Sequence, residues 1–240
     1  LPDYEEQVKW LINDTSAAIV LMGAELMEDD IEAFRGVKGP FLTLDYWHSD
    51  MSFDGVAINN ADSARMATDY LIKKGHQKIG YLRGAFRIKA FRTRAVGFRI
   101  AMNKSNIPVE NKYIFTLDTT MDGAYRDMCE ILKKKTALPT AFFADNDMIA
   151  LGAMKAMQEY GVRIPEDVSI IGFDDLPFCE IASPRLTSLR VPKQEMGQKA
   201  VRRIIEMIKN ESSVKMKIQI CTEFMERDSV RKIEPQTDRS

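Results

Sequence analysis

Two adjacent carboxylates, Asp174 and Asp175, follow the run Val168-Ser169-Ile170-Ile171-Gly172-Phe173. That run is short, apolar and β-branched, as a buried strand is, and Pro165 with Glu166-Asp167 punctuates its start. An acid at the end of such a strand can accept two hydrogen bonds from neighbouring hydroxyls of a small polar ligand, and charge-assisted bonds are the strong kind. The alternative is that both acids only cap a loop, where Asp is common. Arg94 stands in the first turns of a predicted helix after the strand that ends near Gly84. A guanidinium there offers ligand oxygens a planar fork of donors; otherwise it is a surface arginine, as Arg87, Arg92 or Arg99 would be. Asn146 lies between a predicted strand and a predicted helix and can both donate and accept. Asp147 is expected at the N-cap of that helix or next to it, a structural task. Acceptor, donor and mixed groups together suit a hydroxyl-rich molecule.

Bond-breaking chemistry finds less support. His48 and His76 are the only histidines, and neither sits in a motif with a nucleophile. There is no G-x-S-x-G, no H-E-x-x-H and no phosphate-binding G-x-x-x-x-G-K-[ST]. Asp145, Asp147, Asp174 and Asp175 can be imagined around magnesium, but capping explains Asp147 better and octahedral magnesium needs more convergent oxygens. No catalytic residue, metal or cofactor is therefore expected. The three cysteines, Cys129, Cys179 and Cys221, are widely spaced, form no ligand pattern and suit a reducing cytosol.

The elements that position these residues alternate. Helices are expected over 5–13, 28–34, 62–74, 91–104, 122–135, 147–160 and 194–209, and strands over 17–22, 41–44, 56–58, 78–82, 113–117, 140–144, 168–173 and 216–224. Such alternation gives an α/β fold with parallel sheets and helices on both faces. At 240 residues two lobes are plausible. Hydrophobic residues make up 45% and charged residues 29%, an ordinary globular balance. With 34 basic against 35 acidic residues, the net charge of −1 leaves no electrostatic footprint for nucleic acid. No apolar run approaches the ~18 residues of a membrane span, so no membrane partner is expected.

The long run from Pro165 to Asp175, followed by Pro184-Arg185-Leu186-Thr187-Ser188, resembles the signature of the LacI/GalR family of transcriptional regulators in its effector-binding domain. Tyr70-Leu71-Ile72-Lys73-Lys74-Gly75-His76 is similar to the family's H-L-I-x-x-G-H, and Arg94-Ala95-Val96-Gly97-Phe98 to its R-x-x-G-F. Residues 143–153 fit F-x-x-N-D-x-x-A-x-G-A, and Glu226-Arg227-Asp228-Ser229 fits the terminal x-R-x-S. The resemblance runs from about Glu5 to Val230.

It implies two Rossmann-like lobes of the type I periplasmic-binding-protein kind, joined by three crossovers near Asn59-Asn60, residues 189–192 and Cys221-Thr222. The lobes would comprise 1–60 plus 192–221, and 61–191 plus 222–233, with a frayed tail at 234–240. It implies a small effector, sugar-like, in the cleft between lobes, contacted by Asp174, Arg94, Asn146 and Thr119; the family's matching aspartate binds sugar hydroxyls or a purine. Thr119 aligns with a position that is often aromatic, and threonine cannot stack; Tyr46, Trp47 or Phe86 would supply aromatic surface instead, unless each is a core or rim residue. Asn59 stands where an aspartate is usual. It further implies a cytoplasmic homodimer, with residues 62–74 and 194–209 as candidate dimer elements. Operator DNA would be bound only through a helix-turn-helix head, which this sequence lacks together with the lobe's first strand and helix. A sugar-binding protein of a transport system is the alternative, since it shares the fold.

Overall fold

The structure is a computed structural model that describes residues 2–14, 18–48, 52–86, 88–209 and 214–234. Ala17, Arg87 and the tail from Pro235 lie outside the described residues. The chain forms two compact units: Leu1–Asn59 with Ile88–Ala90 and Pro192–Cys221, and Asn60–Arg87 with Phe91–Val191 and Thr222–Ser240.

In the first unit, strands β1 (Ile19–Met22), β2 (Phe41–Leu44), β3 (Asp54–Ile58) and β9 (Lys217–Ile220) form one parallel sheet in that order. Helices α1 (Pro2–Asn13), α2 (Glu28–Glu32) and α8 (Lys193–Ile208) accompany it, and α8 packs on β2 and β3. Its core gathers Val8, Ile31, Phe34, Phe41, Tyr46 and Phe53, with the rings of Phe34 and Phe41 stacked at 5.4 Å. Tyr46 is therefore core, whereas Trp47 is half-buried beneath the Lys217 ammonium. Asp54 is fully buried and is held by Arg203 Nε of α8 at 2.6 Å, Lys215 Nζ at 3.3 Å and the Met216 amide at 3.0 Å.

The second unit carries the residues of interest. Strands β5 (Ile114–Leu117), β4 (Ile79–Gly84), β6 (Ala141–Ala144) and β7 (Ser169–Ile171) form a parallel sheet in that spatial order. Around it lie α3 (Asn60–Lys73), α4 (Lys89–Lys104), α5 (Met121–Lys133), α6 (Asp147–Glu159) and the short α7 (Phe178–Ile181). Helix α6 is buried over most of its length, so its sequence, Asp-Met-Ile-Ala-Leu-Gly-Ala-Met, is apolar nearly all round rather than on one stripe. Helix α4 approaches the start of α3 so closely that a Cβ at Gly97 would sit 2.0 Å from the Ala61 carbonyl oxygen. The glycine of the R-x-x-G-F motif is thus a packing residue.

Two expectations about this unit need correction. Residues 216–224 are not one strand: β9 belongs to the first unit's sheet, while β10 (Glu223–Met225) pairs antiparallel with β8 (Ser188–Arg190) in the second. β8 itself lies in a stretch whose end, 189–192, was expected only to cross over. His76 is a structural residue. Its ring is buried between Thr140 Oγ1 at 3.0 Å and the Arg231 carbonyl at 3.2 Å, so Nε2 must carry the proton, and burial lowers its pKa to about 4.

Candidate functional site

The carboxyl ends of β4, β6 and β7 deliver three segments: Ala85-Phe86, Asp145-Asn146-Asp147 and residues 172–176. Ligands of open parallel sheets bind outside such ends.

Arg94, buried in the first turns of α4, is fixed on several sides. Its Nε donates to Asn60 Oδ1 at 2.8 Å, its Nη1 donates to the Asp145 carbonyl, and its guanidinium lies 3.5 Å from the centre of the Phe173 ring. Nη2 stands 3.8 Å from Asp174 Oδ1. A fork stacked on an aromatic face and pinned by two acceptors is pre-organised, so little entropy is lost when its remaining donors meet a ligand. Below it, Asp145 is sealed: Tyr81 donates to Oδ1 at 2.5 Å and the Gly84 amide to Oδ2 at 2.7 Å. Burial raises its pKa to about 6 against those two bonds, and burial together with the Asp145 charge pushes the Tyr81 phenol well up.

The two acids that sequence could not tell apart have different environments. Asp175 is an internal residue, its side chain 3% exposed, with Arg190 Nε at 2.8 Å and Arg227 Nη1 at 2.6 Å. Asp174 is 28% exposed in its side chain, with Arg94 beside it. Both residues have left-handed backbones, φ 108 at Asp174 and φ 52 at Asp175, a strain of order 1–3 kcal/mol each that persists only where the surroundings over-determine it. Here they do. The Asp174 amide donates to the Leu189 carbonyl at 2.8 Å, the Asp175 amide to Ser188 Oγ at 3.2 Å, and the Leu176 amide to Asp147 Oδ2 at 2.7 Å. Ser188 in turn donates to Asp147 Oδ1 at 2.6 Å.

Asp147 therefore does not cap α6. Asn146 does, accepting from the Ile149 amide at 2.9 Å from an extended backbone, which leaves its NH2 group as the part able to meet a ligand. Asp147 is a fully buried carboxylate whose pKa is raised to about 6, chiefly by burial and also by the charge of Asp174. Room for it comes from Gly172: a Cβ there would lie 2.2 Å from Asp147 Oδ1. Thr119, half-buried just past β5, sets its methyl against Gly84, where a Cβ would be 3.1 Å away. Phe86 is 65% exposed. Among the described residues no group of three or more His, Cys, Asp or Glu is placed to hold a metal ion.

Sequence reasoning missed the supporting residues, although their signals were in the quoted motifs. Phe173 belongs to I-I-G-F-D-D. Arg227 belongs to the terminal x-R-x-S; its amide donates to Thr187 Oγ1 at 3.0 Å and its Nη1 to the Leu186 carbonyl at 2.8 Å. Ser229 Oγ, accepting from the Thr187 amide at 2.9 Å and donating to the Ile170 carbonyl at 2.6 Å, ties the same strands. Asn60 had no such signal.

The family model for the periplasmic binding protein-like domain matches residues 68–230. The HTH-type transcriptional repressor PurR of Vibrio vulnificus (strain CMCP6) is 33% identical over 234 residues, which cover 96% of this chain and 70% of that protein. PurR of Actinobacillus pleuropneumoniae serotype 3 (strain JL03) is 32% identical over 205 residues, 85% of this chain and 61% of the relative; the chain thus spans about three fifths of that repressor's length. A solved sugar-binding transcriptional regulator of the LacI family from Escherichia coli, complexed with phosphate, superposes with a TM-score of 0.84 at 27% identity, covering 97% of this chain and 83% of that one. Fold and site thus define a periplasmic binding protein-like, effector-binding domain. The chain belongs to the LacI/GalR family of transcriptional regulators. Its relatives are repressors, not enzymes.

Proposed function

We propose that this chain senses a small polyhydroxylated effector, a sugar or sugar derivative, for a DNA-binding transcriptional repressor. The observation that carries the reading is the partition of the two adjacent acids: Asp175 is sealed between two arginines, while the Asp174 side chain is 28% exposed beside a stacked, pinned Arg94. Asp174 accepts from ligand hydroxyls, Arg94 donates to ligand oxygens, the Asn146 amide group donates at the ligand's flank, and Thr119 offers a small hydroxyl where an aromatic would stack. The sugar-binding regulator from Escherichia coli supports the sugar reading. The repressor relatives support regulation over transport.

In this reading the effector acts by binding one state of the domain better than another, which shifts the population that a DNA-binding head reads. The protein works in the cytoplasm as a homodimer, and operator DNA is contacted through the head. Among the described residues no helix is long and apolar enough to cross a membrane. A thermal-shift panel of pentoses, hexoses, disaccharides, sugar phosphates and nucleobases tests the ligand class, because a ligand of the native state raises the melting temperature. A hit among the sugars, recovered chemically unchanged, is the expected result. A hit confined to nucleobases, or turnover of a hit, overturns it.

A further inference from the structure

We infer that Asp147 is a positioning residue for the effector site: its ionised carboxylate clamps the turn that presents Asp174, and proton uptake by Asp147 releases the clamp. The geometry is that of a staple across the turn. The backbone amide of Asp147 donates to the Phe173 carbonyl at 2.8 Å, on the near side of Asp174, and its Oδ2 accepts from the Leu176 amide at 2.7 Å, on the far side. Its second oxygen accepts from Ser188, whose own Oγ accepts from the Asp175 amide between them. Leu176 directly, and Asp175 through one hydroxyl, are thus tied to the Asp147 side chain, while Phe173 is tied to its backbone amide. The chain is left-handed at both residues inside the staple, so the conformation is one that the sequence does not adopt without restraint.

Both carboxylate oxygens are acceptors in this arrangement. Once protonated, the carboxyl loses the charge that strengthens both bonds: a proton on the Leu176 side faces that N–H, and one on the Ser188 side makes the hydroxyl turn to accept, so the bond to Leu176 weakens in either case. The groups around the carboxylate are Asp174 on the turn, the Cys179 thiol of α7 and the Ser188 hydroxyl of β8, with Asp175 and Arg227 beyond Cys179. Asp145, on the same segment, is occupied by Tyr81 and Gly84. Burial, the largest influence, and the charge of Asp174 both favour the neutral form, while Ser188, Leu176 and Cys179 favour the ionised one. The balance leaves the clamp closed at pH 7.5 and opening as the pH falls through about 6. The consequence for effector affinity rests on Asp174 being the effector contact; the clamp itself does not.

The test needs no effector. The amide signals of the whole isotope-labelled chain are followed by NMR from pH 8 to pH 5, with hydrogen exchange at both ends. The Leu176 amide proton is expected to titrate with a midpoint near 6, accompanied by the amides of Asp174 and Asp175. Asp147→Asn should abolish that titration and speed Leu176 exchange about tenfold, the scale of losing one charge-assisted bond. Ser188→Ala leaves Asp147 in place but removes a donor to its ionised form, so the midpoint should move upward, which keeps the test open if Asp147→Asn does not fold. A Leu176 amide that is flat with pH in the natural sequence, or a Ser188→Ala curve superimposable on it, overturns the inference. A negative sugar panel alongside a normal Leu176 titration would count against the effector reading alone.

Discussion

Asp147→Asn should gain stability relative to the natural protein as the pH rises from 5 to 8, even though it loosens a functional turn. The folded-state pKa of Asp147, about 6, lies above the ordinary value of 3.8 because of burial. The native state therefore holds this proton more tightly than the unfolded chain does, and the contribution to stability is complete below 3.8 and is lost as the pH rises through about 6. The full loss is about 3 kcal/mol, and the part that falls between pH 5 and pH 8 is about 1.5 kcal/mol. Asparagine carries no such term. It keeps one acceptor for either Leu176 or Ser188 and gives up the other, a pH-independent cost of about 1–3 kcal/mol. The stability difference between variant and natural protein should therefore move in the variant's favour by about 1.5 kcal/mol from pH 5 to pH 8. Urea unfolding followed by circular dichroism at the two pH values measures it, provided the dependence on denaturant is unchanged. His76 runs the other way, its stabilising contribution being lost as the pH falls from 6.5 through about 4, but it cancels in this comparison because both proteins carry it. A difference that is constant from pH 5 to pH 8 would refute the assignment of a buried, proton-linked carboxylate at position 147.

Three further outcomes follow from the packing. Gly97→Ala should cost about 1–3 kcal/mol in urea unfolding, because α4 must move off the Ala61 carbonyl. Arg203→Leu should cost on the order of 3–5 kcal/mol by leaving buried Asp54 without its main partner, and the double variant Asp54→Leu, Arg203→Leu should recover most of that loss. Sedimentation at tens of micromolar should show a dimer once the chain is joined to the segments its repressor relatives carry; a monomer there would contradict the proposed assembly.

Strand and helix order was legible where periodicity and punctuation coincide. The strand expected over 41–44 and the helix expected over 91–104 correspond to β2 and α4 within two residues. Composition and punctuation did not show the split of residues 216–224, because Lys217 to Met225 reads as one extended run without glycine or proline; only the crossover that the family resemblance implies near Cys221-Thr222 pointed to it. Asp147 was expected at the N-cap or next to it and stands next to it, with Asn146 as the cap; both types cap helices well, and what decides is the extended backbone at Asn146 and the hollow that Gly172 leaves for Asp147. Asp174 and Asp175 are identical side chains on neighbouring residues. Only Arg190 and Arg227, far along the chain, distinguish them.

The most direct measurement is a calorimetric titration of the sugar that gives the largest thermal shift, run in parallel on the natural protein and on Asp174→Ala. Asp174 is partly exposed and outside the core, so the variant should keep its circular dichroism and melting behaviour. Its affinity should fall at least tenfold, corresponding to the ~1.5–3 kcal/mol of a hydrogen bond to a charged group. Equal affinity in the two proteins would remove Asp174 from the site and contradict the account.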